Sequence, residues 1–346
     1  MRKQWIVVSL MCGALLSLAA CGDYAIPDST PTPSQAVTAN PFEAAEEDAG
    51  FLGMLTHGAA SPDFSESGER LPFSYEGGEF QLEYQFSLTG KMDTVGFLLF
   101  LDGTPQPYKV NDTTAKYEYC HSFPAGEGQS FSFLFEPVTG NTGDTLTLTV
   151  VSITNPDFQP DMESTSSYGW YHKTLDSSIK LQFHADAPAA HSTLPLIREI
   201  FTQSDVREEK VTAQYVENEL PKHGWDGVSM ETLEKGIYYT FSYDGGITYD
   251  NLCISAPVTL QFTMCGTAGT RYSLTFFLDH QPVKLDESTT RSVTLSKGGI
   301  MELEAVIDPD KLGQFNTFYC VAVPQDAASA PFFKTNSILL YKENGT

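Results

Sequence analysis

Two short stretches combine aromatic and polar side chains that are suited to holding a ligand. Residues 168–172 read Tyr-Gly-Trp-Tyr-His, and residues 222–227 read Lys-His-Gly-Trp-Asp-Gly. Exposed Trp and Tyr rings offer flat surfaces with a polar edge, on which sugars or peptides can stack. The candidate ligand-binding residues are therefore Tyr168, Trp170, Tyr171, His172 and Trp225. The alternative is that these rings cap the ends of a hydrophobic core.

The sequence contains no motif for catalysis. The seven histidines form no H-E-x-x-H or other tight ligand spacing, and neither G-x-S-x-G nor a nucleotide-binding glycine pattern occurs. Carboxylates are plentiful, but nothing selects a pair for glycoside hydrolysis. We therefore predict no enzyme, no cofactor and no metal site, with a surface hydrolase as an alternative. Two oxygen-rich sets leave calcium open: Asn155, Asp157 and Asp161, and Asp308 and Asp310.

Four cysteines lie beyond the first 21 residues, at positions 120, 253, 265 and 320. No C-x-x-C spacing occurs, so a zinc site is not indicated. Cys265 could pair with Cys320 or with Cys253. Strand alternation places Cys320 inward and Cys265 outward, which argues against the first pair unless a β-bulge intervenes. We favour free thiols for most of them.

An eight-residue stretch that contains Phe-Leu-Asp occurs twice. Residues 96–103 read Gly-Phe-Leu-Leu-Phe-Leu-Asp-Gly, and residues 273–280 read Ser-Leu-Thr-Phe-Phe-Leu-Asp-His. Apolar residues fall on both faces, as in an inner strand covered on each side or packed by a loop. Asp102 and Asp279 occupy the same place in the two copies. They are expected to end the strand in a turn in which aspartate bonds to backbone amides.

Longer segments around this stretch alternate between apolar and polar residues with a period of two. Such alternation predicts strands with one buried and one wet face. The apolar set Phe80, Leu82, Tyr84, Phe86 and Leu88 matches Val258, Leu260, Phe262 and Met264. The set Phe131, Phe133 and Phe135 matches Leu303, Ala305 and Ile307.

Three further matches extend the repeat. Residues 73–78 match 241–246, residues 145–150 match 317–322, and residues 178–183 match 337–342. A slip of one residue would turn every buried side chain outward, so the shared facing pattern supports an internal duplication.

Each copy has roughly 110 residues of short strands between Gly, Pro, Asn and Asp turns, which is the size of an immunoglobulin-like sandwich. The chain resembles immunoglobulin-like domains in pattern and length, although the Cys…Trp…Cys spacing is absent. We predict an all-β chain of two tandem antiparallel immunoglobulin-like β-sandwich domains, at residues 51–187 and 237–346. The connector, residues 188–236, should have structure of its own and is a candidate for an opening strand of the second domain.

The first residues have the pattern of an export signal. Arg2 and Lys3 precede a short apolar run, which ends in Leu-Ala-Ala-Cys at Cys21. This resembles the lipobox of bacterial lipoprotein precursors. The resemblance implies a signal peptide at residues 1–20, cleavage before Cys21, and lipidation of Cys21 with chains such as palmitate. Residues 21–50, rich in Pro, Ser, Thr and acidic residues, are expected to form a flexible tether.

The net charge of −24 argues against a nucleic-acid partner, because phosphates require Lys and Arg. The expected partners are the membrane, through lipidated Cys21, and a glycan or protein ligand. We therefore predict a lipid-anchored extracytoplasmic surface protein that acts as a non-catalytic binding or adhesion module. A structural spacer or envelope-assembly lipoprotein is the alternative.

Overall fold

The computed structural model describes residues 53–158, 168–189, 194–195, 197–218, 220–223, 225, 227–247, 250–326 and 330–342. The predicted signal peptide, the predicted tether with Cys21, and Asp161 lie outside these residues, as does the side chain of Trp170. Within the described ranges, no helix has both the length and the apolar character needed to cross a membrane.

The described residues up to 183 form strands and one short helix. In chain order these are β1 (Gly53–Ala59), β2 (Phe73–Tyr75), β3 (Phe80–Gly90), β4 (Thr94–Leu101), β5 (Thr104–Gln106), β6 (Lys109–Val110), β7 (His121–Pro124), β8 (Gly126–Phe135), β9 (Thr145–Thr154), α1 (Tyr168–Tyr171) and β10 (Thr174–Phe183).

These strands make two sheets that face each other. One sheet has the order β1-β3-β8-β6, and the other has the order β2-β10-β9-β4-β5, with β7 also paired to β4. β2 runs parallel to β10, whereas β10 and β9 are antiparallel. This is the strand order of an immunoglobulin-like Greek key.

The rest of the described chain forms the second set of elements. They are β11 (Phe201–Lys210), α2 (Ala213–Asn218), a 3-10 turn (Leu220–His223), α3 (Met230–Leu233), β12 (Ile237–Tyr243), β13 (Gly246–Ile247), β14 (Asn251–Cys253), β15 (Val258–Gly266), β16 (Arg271–Leu278), β17 (Gln281–Pro282), β18 (Arg291–Thr294), β19 (Gly299–Ile307), a 3-10 turn (Pro309–Lys311), β20 (Phe315–Pro324), β21 (Phe333–Lys334) and β22 (Ile338–Tyr341).

The second sandwich repeats the first with one change. Its sheets have the orders β11-β19-β15-β12-β13 and β14-β22-β20-β16-β17, with β18 and β21 paired to β16 and β20. In the first sandwich the short strand β6 lies beside β8. In the second, the corresponding place beside β19 is taken by β11, a ten-residue strand from the segment between the two predicted domains.

Each sandwich has its own hydrophobic core, and the all-β fold is confirmed. Strand β3 alternates between buried and exposed residues along most of its length, as its sequence predicts. Phe133 and Ala305, at matched positions of the two copies, are both fully buried. In the first core the ring centroids of Tyr84 and Phe133 are 4.9 Å apart. Aromatic pairs at this separation add to the energy of apolar burial.

The match between residues 73–78 and 241–246 is wrong. Phe73–Tyr75 is β2, which lies parallel to the last strand of its sandwich. Phe241–Tyr243 instead ends β12, which pairs antiparallel with β15 and so takes the place of β1. The true counterpart of β2 is β14, which lies parallel to β22. The short Phe-Ser-Tyr sequence suits any half-buried strand before a glycine turn, so local composition misled the alignment.

The match between residues 145–150 and 317–322 is displaced by two residues. Leu101 pairs with Leu148, whereas its counterpart Leu278 pairs with Phe318. Leu148 therefore corresponds to Phe318 and not to Cys320. Because side chains alternate with a period of two, this error leaves the predicted facing of the strand unchanged.

Candidate ligand-binding groove at the junction of the two sandwiches

The two sandwiches pack against each other through an apolar contact, which we call the junction. It lies between the sheet containing β4 and β9 and the sheet containing β16 and β20. Its buried side chains are Leu98, Phe100, Val151 and Ile153 from the first sandwich and Phe277, Tyr319, Val321 and Val323 from the second. One face of β4 and β16 therefore packs in its own core and the other at the junction, which explains their two-sided apolar sequences.

Equivalent residues meet at the centre of the junction. Phe100 and Phe277 each precede the leucine that ends its strand, and their rings contact edge to face with centroids 5.9 Å apart. Val151 and Val321 also hold equivalent positions in the two paired strands. A contact that uses the same patch on both partners is self-complementary, as in a two-fold symmetric dimer. The junction thus has the form of a dimer interface within one chain.

The two ends of the junction differ. Gly103 and His280 follow β4 and β16 at equivalent positions, both with positive φ. A Cβ on Gly103 would lie 2.5 Å from the Cβ of Ser273, so glycine alone allows this close approach. His280 instead bridges the sandwiches: its Nε2 lies 2.7 Å from the carbonyl oxygen of Pro156, and its Nδ1 lies 2.9 Å from the Tyr319 hydroxyl.

Two depressions flank His280, and together we call them the junction groove. Both have Pro156, Asp157, Asp279 and His280 in their walls. The first has a volume of about 440 Å³ and is also lined by residues 116–120. The second has a volume of about 350 Å³, and its other walls include Phe158, Tyr168, Phe315 and Asn316. Volumes in this range suit a small ligand or one or two units of a polymer.

Aromatic side chains border the second depression. Phe158 stacks on Tyr171 with ring centroids 3.9 Å apart and planes 16° from parallel. The Tyr171 side chain is 39% exposed, and that of Phe315 is 36% exposed. Phe158 and Phe315 line the depression, and Tyr171 adjoins it by stacking on Phe158. Partly exposed rings in such positions offer surface for stacking at little cost in side-chain ordering.

Asp279 is held in place within the groove. Its Oδ1 accepts a hydrogen bond from the Thr317 backbone amide at 2.9 Å, and its Oδ2 accepts one from Arg198 at 3.2 Å. Burial nevertheless raises the pKa of the Asp279 carboxyl, with these two partners opposing the shift. Asp279 ends its strand with positive φ, as predicted, but the backbone amide that it binds belongs to Thr317 on the neighbouring strand β20 and not to its own turn. Asp157, which also lines both depressions, is exposed.

The five ligand residues predicted from the sequence lie in different environments in the structure. Tyr168 is buried, with its hydroxyl hydrogen-bonded to Thr317, and His172 is buried beside it. Tyr171 is the exposed ring of this segment. Trp170 has no described side chain. Trp225 packs on Tyr238, with ring centroids 5.6 Å apart, in the helical cover over the outer face of the second sandwich.

The sequence pointed to residues 168–172 but missed their partners in the groove. Phe158 and Phe315 have no aromatic neighbour in sequence that would mark them as ligand residues. The sequence indicates Asp157 only as a candidate calcium ligand and Asp279 only as a turn residue. These residues come together because the two sandwiches meet, and a contact between distant segments leaves no local signal.

The described residues contain no group of three or more His, Cys, Asp or Glu side chains placed to hold a metal ion. The four cysteines at positions 120, 253, 265 and 320 are free thiols. Cys320 lies in the second core, and Cys265 lies under the helical cover on the outer face of the same sandwich. Cys320 therefore points into the core and Cys265 points away from it, as strand alternation predicts.

Comparison with known proteins yields only weak likenesses. No family model matches the chain, and no curated protein matches it. Among solved structures, it is similar to a Porphyromonas gingivalis protein of unknown function, with 10% identity over 83% of this chain and 99% of that one and a TM-score of 0.21. It is also similar to a chaperone–tip adhesion subunit complex of Csu pili from Acinetobacter baumannii (12% identity, 84% and 100% covered, TM-score 0.19) and to the collagen adhesin of S. aureus (8%, 85% and 94%, 0.19). Scores this low assign no function to the chain.

Proposed function

We propose that this protein is a lipid-anchored binding protein on the outer side of a bacterial cell membrane, and that it holds a glycan in the junction groove. The lipobox-like sequence at Cys21 supports the anchor. The observation that carries the binding role is the second depression, where the rings of Phe158 and Phe315 stand beside Asp157 and Asp279.

This combination suits a sugar for two physical reasons. The C–H faces of a pyranose ring stack on aromatic side chains, and its hydroxyls donate hydrogen bonds to carboxylates. The carboxylate of Asp279 is already oriented by Thr317 and Arg198, so a ligand hydroxyl would meet an acceptor in a fixed position. A preorganised acceptor reduces the entropy lost on binding.

Binding without catalysis is favoured by how the titratable groups of the groove are engaged. Both nitrogens of His280 and both carboxylate oxygens of Asp279 already have protein partners. A general acid or base must have a nitrogen or oxygen directed at the reacting bond. These partners hold both side chains in fixed orientations, which supports a role in positioning and binding.

The test is a glycan array probed with the mature chain carrying Cys21→Ser. Because this variant lacks the thiol that would be lipidated, it should also move from the membrane fraction to the soluble fraction. For any glycan bound, Phe315→Ala and Tyr171→Ala should each weaken affinity by about 2- to 10-fold, the contribution of one aromatic contact. Phe64→Ala is the matched control, because Phe64 is 58% exposed and lies outside the groove. Unchanged affinity in both groove variants would refute the site.

A structural spacer is the second candidate, favoured by one observation. The buried apolar junction joins the two sandwiches, and residues 51–346 form one compact unit. A rigid unit of this kind would separate other components by a fixed distance. If neither glycans nor peptides bind the groove in array screens, this role is preferred.

A further inference from the structure

Two histidines are buried side by side at one end of the junction. His172, from the first sandwich, is 3% exposed, and His280, from the second, is 9% exposed. Their ring centroids are 6.1 Å apart, with planes at 80°. His280 has two hydrogen-bond partners, whereas neither ring nitrogen of His172 makes a hydrogen bond of normal geometry among the described residues, and the Asn155 backbone offers it only a weaker polar contact. An imidazolium at His172 would lack a well-placed acceptor, whereas one at His280 could donate to both the Pro156 carbonyl and the Tyr319 oxygen and is disfavoured by its burial.

Titratable groups surround the pair from both sandwiches. The first sandwich contributes Tyr168, Cys120, Asp157 and Lys173, and the second contributes Asp279, Tyr319 and Lys334. Burial lowers the pKa of His172 to about 2, with Lys334 and His280 adding to the shift and the Asn155 backbone opposing it. Burial lowers the pKa of His280 to about 4, and Asp157 opposes that shift only in part. Both rings are therefore neutral while the junction is closed.

We propose that protonation of His172 and His280 opens the junction at the His280 end, while the Gly103 end acts as the hinge. A charged ring at this contact must be solvated, and separating the two sheets lets water reach it. At the opposite end Gly103 packs directly on Ser273, and neither of these two residues titrates. Opening is therefore confined to one end of the contact.

The groove lies at the end that opens. Because His280 forms part of the wall of both depressions, movement of this residue would dismantle them together. Ligand release on acidification follows, and this consequence rests on the proposed function. The opening itself requires no ligand.

The sign and size of the effect follow from linkage. Above pH 6.5 the rings are neutral in both the closed and the open state, so pH has no effect through them. As the pH falls below 6.5, the open state binds protons that the closed state excludes. At pH 5, each histidine should favour the open state by about 30-fold relative to neutral pH. Asp279 opposes this, because its raised pKa favours proton uptake by the closed state, whereas Lys334, whose pKa burial lowers to about 7, acts in the same direction as the histidines.

Cys120 is a native thiol at this end that is partly exposed and partly covered by the junction, so that opening would increase its exposure. It packs against the apolar residues of the junction, and it lines the first depression. Its labelling by a disulfide reagent that reacts at acid pH can be followed by mass spectrometry on the Cys21→Ser chain, and normalised to the unfolded chain at the same pH. Cys320, buried in the second core, reports global unfolding in the same sample.

We expect the Cys120 rate, relative to that of Cys320, to rise by at least 30-fold between pH 7.5 and pH 5. His172→Phe should reduce this rise by about 30-fold, because it removes one titrating ring without removing a hydrogen bond. His172→Leu repeats the test with a smaller side chain. His184→Gln, at a half-exposed histidine outside the junction, should leave the rise intact.

Two results would overturn the inference: a Cys120 rate that does not change with pH, or an acid response that persists fully in both His172 variants. Either could occur in a protein that still binds glycan at pH 7.5. Equally, the acid response could be found in a protein whose groove variants bind normally. The two proposals therefore fail separately.

Discussion

The two ends of the junction differ because of single residues. Gly103 and His280 descend from equivalent positions of the repeat, and both adopt the left-handed backbone conformation. The absence of a side chain at Gly103 brings the sandwiches into direct contact. At the other end, the side chain of His280 fills the space next to the groove.

The cost of a side chain at Gly103 can be separated from the cost of its backbone conformation. Gly103 and Gly68 share a φ of +81°, but a Cβ on Gly68 would meet no atom within 4 Å. Gly68→Ala should lower the free energy of unfolding by about 1 kcal/mol, the cost of left-handed φ for alanine. Gly103→Ala should cost about 1–3 kcal/mol more, because it also overpacks the contact with Ser273.

Urea unfolding of both variants measures this difference. Equal losses in the two variants would mean that the Gly103 end of the junction is loosely packed. The hinge assigned to that end would then have to be abandoned.

Residue-scale predictions from sequence succeeded where the cause was local. Asp102 and Asp279 end their strands with φ near +50°, as expected of aspartate in a turn. The burial of Tyr168 and His172 agrees with the alternative that these rings cap a core, but their partners Thr317 and His280 were not predictable, because they lie in the other sandwich more than a hundred residues away in sequence.

At the scale of elements, β11 is the main departure from a simple repeat. It places Arg207 opposite Glu302 on β19, with Arg207 Nε 2.9 Å from Glu302 Oε2. The Glu302 side chain is largely buried, whereas that of Arg207 is half-exposed. The ion pair therefore satisfies a carboxylate that β11 itself helps to cover.

Breaking this pair should be more costly than breaking a pair on the open surface. Arg207→Met should lower the free energy of unfolding by about 1–2 kcal/mol, because Glu302 is left without its partner. The double variant Arg207→Met/Glu302→Gln should recover part of that loss. Lys235→Met is the control, since Lys235 and Glu231 are both well exposed and their pair should contribute less than about 0.5 kcal/mol.

Denaturant unfolding of the four proteins provides the comparison. If Arg207→Met were no more destabilising than Lys235→Met, β11 would be only loosely attached to the edge of the sheet.

Strand facing could be predicted from sequence, but strand pairing could not. Period-two alternation correctly placed Phe133 and Ala305 inside, because burial of one face determines it. The identity of each neighbouring strand depends on the whole sheet. For that reason residues 73–75 and 241–243, alike in sequence, belong to different positions of the fold.

For the whole molecule, the junction decides whether the two sandwiches behave as one body. The apolar residues on both faces of β4 and β16 predict that each strand is covered on both sides. They do not indicate which part of the molecule provides the cover. The cover of each is the other sandwich. A sequence records that a surface is apolar but not which surface it meets.

A charge at the centre of the junction should separate the sandwiches without unfolding them. Phe277→Asp would place a carboxylate against Phe100 in a water-free contact, at a cost of several kcal/mol. We expect small-angle X-ray scattering to show a larger radius of gyration, with unchanged strand content by circular dichroism. Gln85→Asp, at an exposed position of β3, is the control. An unchanged radius in Phe277→Asp would mean that other contacts hold the pair together.

The self-complementary form of the junction has a consequence for how such a molecule can change. In a pair of identical subunits, every mutation appears twice, so a ring inserted at one rim must also be inserted at the other. Once both copies lie on one gene, each rim can mutate alone. Glycine at one rim and histidine at the other is a specialisation that a pair of identical subunits cannot evolve.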